Sequence, residues 1–417
     1  MISSEIQISH PTGIIKGTPE ISSSKSESNR ALMLRQYSKG LLTIYNLSDA
    51  RDTRILESLL ASDSDVLNAQ DAGTTFRFLT SYLAISGRKC TLTGSDRMKH
   101  RPIGDLVSSL QLLGAHIEYL EKEGFPPLKF NGFKWTGISS IDIDASVSSQ
   151  FTSALMMAAP TLENGLVIHF KGEGISSLPY IRMTHQLMAK MGIAIRFEEN
   201  KVTIPAQEFQ PSSYTIESDW SAASYWYGFA ALASHSSIFI ANLRQDSLQG
   251  DSVIQTITEN WGVRSTFEKD GVQIQKNNRK GPPEKLELDF IDCPDLGQTV
   301  IALCAASGTG ASFTGLQSLA IKETNRLRAM KTELQKVGIE IEIDEKKGTC
   351  FIASGQTLRE PTESFETYDD HRMAMALSLF ALKFPIRLKH PEVVDKSYPQ
   401  FWKALQSTGF QIHSDRA

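Results

Sequence analysis

A chain of 417 residues is long enough for two or three domains with substantial cores. Its 41% hydrophobic and 22% charged residues are those of an ordinary globular protein, and a net charge of -4 argues against a general nucleic-acid binder, which carries a basic excess. Any anion bound here must meet local clusters of cations.

The N-terminal stretch, MISSEIQISHPTG, lacks a basic segment followed by an apolar core, so no signal peptide is expected, and no apolar run reaches membrane-spanning length. From there two kinds of helix alternate. SNRALMLRQYS (28–38) starts polar and becomes apolar on nearly every face, which is the pattern of a buried helix. RILESLLASDSDV (54–66) is amphipathic. GTTFRFLTSYLAIS is buried again, and LVSSLQLLGAHIEYL is amphipathic and runs into an alternating strand that ends at Leu120. The alternation returns as SSQFTSALMMAAP with HQLMAKMGIAIRF, and as SAASYWYGFAALAS with IQTITENWGVRSTF. LGQTVIALCAASG with MKTELQKVGIEIEI, then HRMAMALSLFAL with FWKALQSTGFQI, complete six units, each adding short strands to one buried and one amphipathic helix. Gly114, Gly192, Gly262, Gly338 and Gly409 close five of the amphipathic helices and predict a left-handed conformation there; the copy at Arg54 has no such glycine. Cys90, Cys293, Cys304 and Cys350 are scattered without a CxxC pair, so zinc and dithiol chemistry are not expected and a reducing cytoplasm is the natural compartment.

Residues suited to chemistry gather at the starts of the buried helices. Lys25, Ser26, Ser28 and Arg30 open the first, and Asp71, Gly73, Thr74 and Arg77 the second. Ser148, Ser149 and Gln150 open the third, Asp295 the fifth, and Asp370, His371 and Arg372 the sixth. Free N–H groups and the positive dipole end make helix starts attractive to anions, although Ser, Asp and Gly are also ordinary capping residues. Capping does not account for the cations: Lys25, Arg30, Arg77 and Arg372 head into apolar helices, where an unpaired charge is costly. Together they point to a polyanionic ligand.

SKSESNRALML (24–34), DAGTTFRFLT around Gly73, RMKHRPIGDLV (97–107) and VSSQFTSALMMAAP (147–160) resemble, in order, motifs of the EPSP synthases of the enolpyruvyl-transferase family. IKETNRLRAMKTELQKVG (321–338), YDDHRMAMALSLFAL from Tyr368 and DKSYPQFW from Asp395 extend the resemblance over nearly the whole chain. It implies an α/β fold, a two-domain inside-out α/β barrel of six βαβαββ units, three per domain. One domain would span residues 21–216 and the other residues 1–20 with 217–417, with substrates in a cleft that closes on binding. The implied activity transfers the carboxyvinyl group of phosphoenolpyruvate to the 5-hydroxyl of shikimate 3-phosphate, through a tetrahedral ketal, in the shikimate pathway to chorismate and the aromatic amino acids. No metal or organic cofactor, nucleic acid or membrane is implied, and the enzyme would act as a cytoplasmic monomer.

The matching positions for shikimate 3-phosphate are Lys25, Ser26, Arg30, Ser148, Ser149, Gln150, Ser177, Tyr180, Asp295 and Lys322. For phosphoenolpyruvate they are Lys25, Gly73, Arg101, Gln150, Arg326, Arg372 and Lys396. Asp295 matches the carboxylate that would take the ring hydroxyl proton, while Lys25 and Glu323 match the pair nearest the methylene carbon, with their acid and base roles left open.

The chain departs from the family pattern at several positions. Asp71 stands where Asn or Ser is usual, Phe78 where Pro is common, and Ser318, Ala320 and Asn325 alter the surroundings of KET; the first motif reads SSSKS. Asp71 would repel an anionic ligand unless Arg77 neutralises it, or else it caps the helix. Two alternatives remain at this stage. The sister transferase acting on UDP-N-acetylglucosamine usually has a reactive Cys in the loop that here reads SDRMKHRP, which contains none. A non-catalytic anion-binding relative would have had little reason to keep Lys25, Asp295 and Glu323.

Overall fold

The computed structural model describes residues 5–144, 148–172, 177–276 and 281–414, so Val147 of the VSSQF motif lies outside the described residues. The chain divides into two compact units, Ser24–Ile216 and Met1–Ser23 with Glu217–Ala417.

In the unit Ser24–Ile216 the helices Lys25–Tyr37, Gly73–Ser86 and Ser149–Ala158 pack against one another. Most of their side chains are buried, as apolar surface on all faces requires. The amphipathic helices Arg51–Leu60, Gly104–Leu113 and Leu178–Lys190 each bury one face only. One four-stranded sheet runs in the order Val66–Asn68, Cys90–Thr93, Leu128–Phe133, Ala115–Tyr119, with a parallel first pair and two antiparallel pairs after it. Ser140–Asp144, Leu166–Lys171, Lys201–Ile204 and Arg196–Glu198 repeat that pattern. Leu42–Tyr45 and Ser212–Thr215 form a two-stranded parallel sheet.

The other unit uses the same sheet pattern. Ile14–Gly17 pairs in parallel with His235–Ala241, followed by Gly271–Lys276 and Val263–Glu268 antiparallel. Lys285–Asp289, Gly310–Thr314, Thr349–Ile352 and Ile341–Asp344 repeat it. In the third sheet the N-terminal strand Glu5–Ser9 lies between Ile386–Lys389 and Gln411–Ser414, antiparallel to both, and a single parallel bridge from Phe365 to Leu388 marks the place of a further strand. The helices Trp220–Leu232, Gly297–Ser307 and His371–Leu377 supply the buried centre. Every residue of the last of these is buried. HRMAMALSLFAL, predicted as one helix, changes to a tighter 3-10 turn at Ser378–Leu382.

The repeated unit is thus a mixed sheet with its helices. The barrel part of the expectation needs correction: the strands form six separate sheets, and among the described residues none closes on itself. The five predicted helix-ending glycines all have positive φ, from 78° at Gly192 to 114° at Gly114. All four cysteines are buried and unbonded.

Candidate active site

In the unit Ser24–Ile216, the expected residues lie where three buried helices begin. The Ser24 side chain accepts from Glu27 N (3.4 Å) and caps the first helix, so Lys25 is its first helical residue. Lys25 Nζ is 3.1 Å from Asp52 Oδ2, and Asp52 is itself buried in the first turn of Arg51–Leu60. The Asp52 carbonyl accepts from Thr75 Oγ1 (3.0 Å), which ties that turn to the helix start at Gly73. Gln150 Nε2 donates to Thr74 Oγ1 (3.0 Å), and its backbone N–H donates to Ser148 Oγ (3.3 Å), with Ser149 opening the third helix.

Gly73 has a steric reason to be glycine. A Cβ there would stand 2.7 Å from Arg101 Cζ, so only a bare backbone lets this guanidinium lie against it. Arg101 is buried to 9% exposure, and its Nε has no hydrogen-bond partner. A nearly buried cation on a helix start is an arrangement built to receive an anion.

Arg30 is placed differently from a residue reaching for ligand. Its Nε donates to Thr184 Oγ1 (2.7 Å), Nη1 to the Ser26 carbonyl (2.9 Å) and Nη2 to Ser153 Oγ (3.2 Å). The guanidinium lies 5.4 Å from the Phe78 ring and 5.6 Å from the Tyr180 ring. Burial pulls its pKa down to about 10, which leaves it cationic at neutral pH. Arg30 therefore links Ser26 to Tyr180, and Phe78, a departure from the family pattern, supplies one of its aromatic walls. Ser177 holds a left-handed conformation (φ 57°) at the N-cap of Leu178–Lys190.

The structure changes the readings of Asp71 and Arg77. Arg77 donates to the carbonyls of Gly73 (3.2 Å) and Pro102 (3.4 Å). Both oxygens of Asp71 instead meet Arg51 Nη2, at 2.8 and 3.0 Å, a cation that the sequence pattern did not single out. The N-cap of the helix beginning at Gly73 is Ala72, which offers no side-chain cap bond.

In the other unit, Asp295, Lys322, Glu323, Arg326, Arg372 and Lys396 form one connected network. Arg326, 2% exposed at its side chain, donates from Nε to Asp370 Oδ2 (2.6 Å), from Nη2 to Glu323 Oε2 (2.8 Å) and from Nη1 to Asp295 Oδ1 (3.2 Å). Arg372 Nη2 reaches Asp295 Oδ2 (3.0 Å), Lys322 Nζ lies 3.5 Å from Asp295 Oδ1, and Lys396 Nζ lies 3.7 Å from Glu323 Oε1. Lys322, Arg326, Arg372 and Lys396 are thus interleaved with the carboxylates of Asp295, Glu323 and Asp370. Asp370 also caps the sixth buried helix, where its Oδ1 accepts from Arg372 N (2.8 Å).

Burial alone would raise the Asp295 pKa, but Arg372, Lys322 and Arg326 outweigh it and hold the carboxyl well below the usual range. Burial lowers the Lys322 pKa against the pull of Asp295. Burial would also lower that of Arg326, yet Asp370, Glu323 and Asp295 raise it on balance.

Sequence reasoning missed two members of this network. Ser221 Oγ accepts from Arg372 Nη2 (3.2 Å) and donates to Asp251 Oδ2. Asp251 is buried, its Oδ1 has no hydrogen-bond partner, and burial, then the charge of Asp295, push its pKa up to about 7. Ser221 carried a signal, since it opens a buried helix just as Ser26 and Ser149 do. Asp251 carried none. The remaining departures are local: Asn325 caps Arg326–Lys336 by accepting from Arg328 N (3.1 Å), as an Asp would, and the buried Ser318 Oγ makes no hydrogen bond.

The EPSP synthase (3-phosphoshikimate 1-carboxyvinyltransferase) family model matches residues 55–405. The 3-phosphoshikimate 1-carboxyvinyltransferase of Bacteroides fragilis strain YCH46 is 42% identical over 401 residues, covering 95% of this chain and 96% of that protein. The protein of the same name from Photorhabdus laumondii is 34% identical over 426 residues, with 95% and 97% covered. Among solved structures, an EPSP synthase from Acinetobacter baumannii superposes with a TM-score of 0.78 at 19% identity, covering 99% of this chain and 100% of that one, and so shares the two-domain inside-out α/β fold. With matches of this length and identity, the chain belongs to the EPSP synthase family.

Proposed function

We propose that this chain transfers the carboxyvinyl group of phosphoenolpyruvate to the 5-hydroxyl of shikimate 3-phosphate, releasing phosphate and 5-enolpyruvylshikimate 3-phosphate. The observation that carries the reading is Asp295 held ionised among Lys322, Arg326 and Arg372, a carboxylate ringed by three cations. Phosphoenolpyruvate brings a phosphate and a carboxylate, and Arg326, Arg372, Lys396 and Arg101, with the backbone at Gly73, are assigned to them. Ser26, Ser148, Ser149, Gln150, Ser177, Tyr180 and Lys322 are assigned to shikimate 3-phosphate, with Arg30 positioning Ser26 and Tyr180 from beneath.

The chemistry has two stages. The 5-hydroxyl oxygen bonds to C2 of phosphoenolpyruvate and gives its proton to Asp295, while C3 gains a proton, which yields the tetrahedral ketal. The C2–O bond to phosphate then breaks, C3 loses a proton, and the enol ether double bond returns. Lys25 and Glu323 are assigned to C3 as its proton donor and acceptor. Asp295 is a weak base while its cations are unshared; substrate anions that draw on Arg326 and Arg372 raise its basicity as the reaction begins. Both groups of residues are assigned to one pair of substrates, since addition needs the base, the acid and the anion-holding cations at once. A reducing, cytoplasmic compartment fits four buried, unbonded cysteines.

Phosphate release tests the reading. The purified protein should release phosphate from phosphoenolpyruvate with shikimate 3-phosphate and not with UDP-N-acetylglucosamine. Release with the nucleotide sugar alone, or with neither acceptor, overturns it.

A further inference from the structure

Arg51 is in an awkward place for a helix. It is the first residue of Arg51–Leu60, where the positive end of the helix dipole disfavours a cation, and Ala50 before it provides no side-chain cap. Its guanidinium instead turns to Asp71, whose two oxygens lie 2.8 and 3.0 Å from Nη2. The pair is part-exposed, with side chains 41% and 27% accessible, so its contribution to stability is small. Its position is what distinguishes it. Asp71 stands two residues before Gly73, the backbone on which Arg101 lies, and the next residue along from Arg51 is Asp52, which holds Lys25. One helical turn therefore sends a cation to Asp71 and an anion to Lys25, two partners on the segments assigned to phosphoenolpyruvate.

We propose that Arg51 is a specificity-setting residue: it masks the Asp71 carboxylate so that the anion site at Gly73 and Arg101 stays open to phosphoenolpyruvate. This rests on the function proposed above and assigns a role to two residues outside its reacting groups. A carboxylate at position 71 is compatible with a strongly anionic ligand only because a cation accompanies it. Arg51 and Asp71 thus act as a unit, and each is harmful or helpful according to whether the other is present.

The test is a double-mutant cycle of Arg51→Met, Asp71→Asn and the two combined, read by steady-state kinetics and by calorimetric binding of phosphoenolpyruvate alone. Arg51→Met should raise the KM for phosphoenolpyruvate by roughly tenfold, with the effect largest at low salt and the KM for shikimate 3-phosphate nearly constant. Asp71→Asn should lower the phosphoenolpyruvate KM, because Arg51 is then unmasked. The double variant should return close to the native value. Melting temperatures should stay near native throughout, which separates a lost pair from a lost fold. An unchanged phosphoenolpyruvate KM in Arg51→Met, an equal rise for both substrates, or no recovery in the double variant overturns the proposal. If the native protein does not turn over at all, the proposed function falls, and the same cycle in the binding data still decides the role of Arg51.

Discussion

Asp295 is a counter-ion to three cations and, in the function proposed above, the assigned base; the two roles predict a split response. Asp295→Asn should lower kcat by about 10²–10⁴-fold, as loss of a general base does, while the KM for phosphoenolpyruvate falls because Arg372 and Arg326 lose their competitor. A raised KM with preserved kcat would remove Asp295 from the base position. Asp251 gives a prediction in pH. Its folded pKa, raised to about 7 from 3.8, means the folded state holds a proton that the unfolded state has released between those values, so stability falls as pH rises through that window. Asp251→Asn should therefore be more stable than native at about pH 8, with the advantage shrinking as the pH falls towards 4, measured by chemical denaturation. A pH-independent difference would mean that Asp251 does not titrate there. Of these residues, Asp295 and Arg372 were legible as polar starts of apolar helices. Arg51 and Asp251 were not, because ion-pair partners and buried orphans arise from which loops meet in space, and sequence spacing carries no record of that.

At the scale of elements, the alternation of buried and amphipathic helices was readable because burial on all faces leaves a composition signature, and the glycines were readable because a helix end needs positive φ. Not all such glycines are equivalent. At Gly114 a Cβ would lie 2.7 Å from the Lys134 carbonyl carbon as well as forcing φ of 114° on a substituted residue, whereas at Gly308, φ 75°, it would meet open space. Gly308→Ala should cost about 1–2 kcal/mol for the left-handed backbone alone. Gly114→Ala should cost more, roughly 3–4 kcal/mol, since a backbone must also move. Equal losses in denaturant midpoints would show that the clash at Gly114 is relieved cheaply. The joining of strands into separate sheets was not readable, because short strands state their own alternation and not their neighbours.

For the whole molecule, the function proposed above would require Lys25 and Arg101 of one unit and Arg326, Arg372 and Lys396 of the other to serve the same phosphoenolpyruvate, and solution scattering tests that requirement. Like charges repel until a polyanion neutralises them. Shikimate 3-phosphate added with an unreactive phosphoenolpyruvate mimic should reduce the radius of gyration in small-angle scattering. An unchanged radius would count against the two sets of cations serving one ligand.

The strand Glu5–Ser9 carries a different kind of consequence. It is the middle strand of a sheet whose other members, Ile386–Lys389 and Gln411–Ser414, come more than 370 residues later in the chain. Among the described residues, the strands of Ser24–Ile216 find their partners within that span, so its sheets can be completed while the ribosome is still working. Glu5–Ser9 must instead wait, unpaired, until Ile386–Lys389 and Gln411–Ser414 have been made. The order of synthesis thus makes the inner unit the first to mature, and a chain cut before Ile386 would leave Glu5–Ser9 without either of its sheet neighbours.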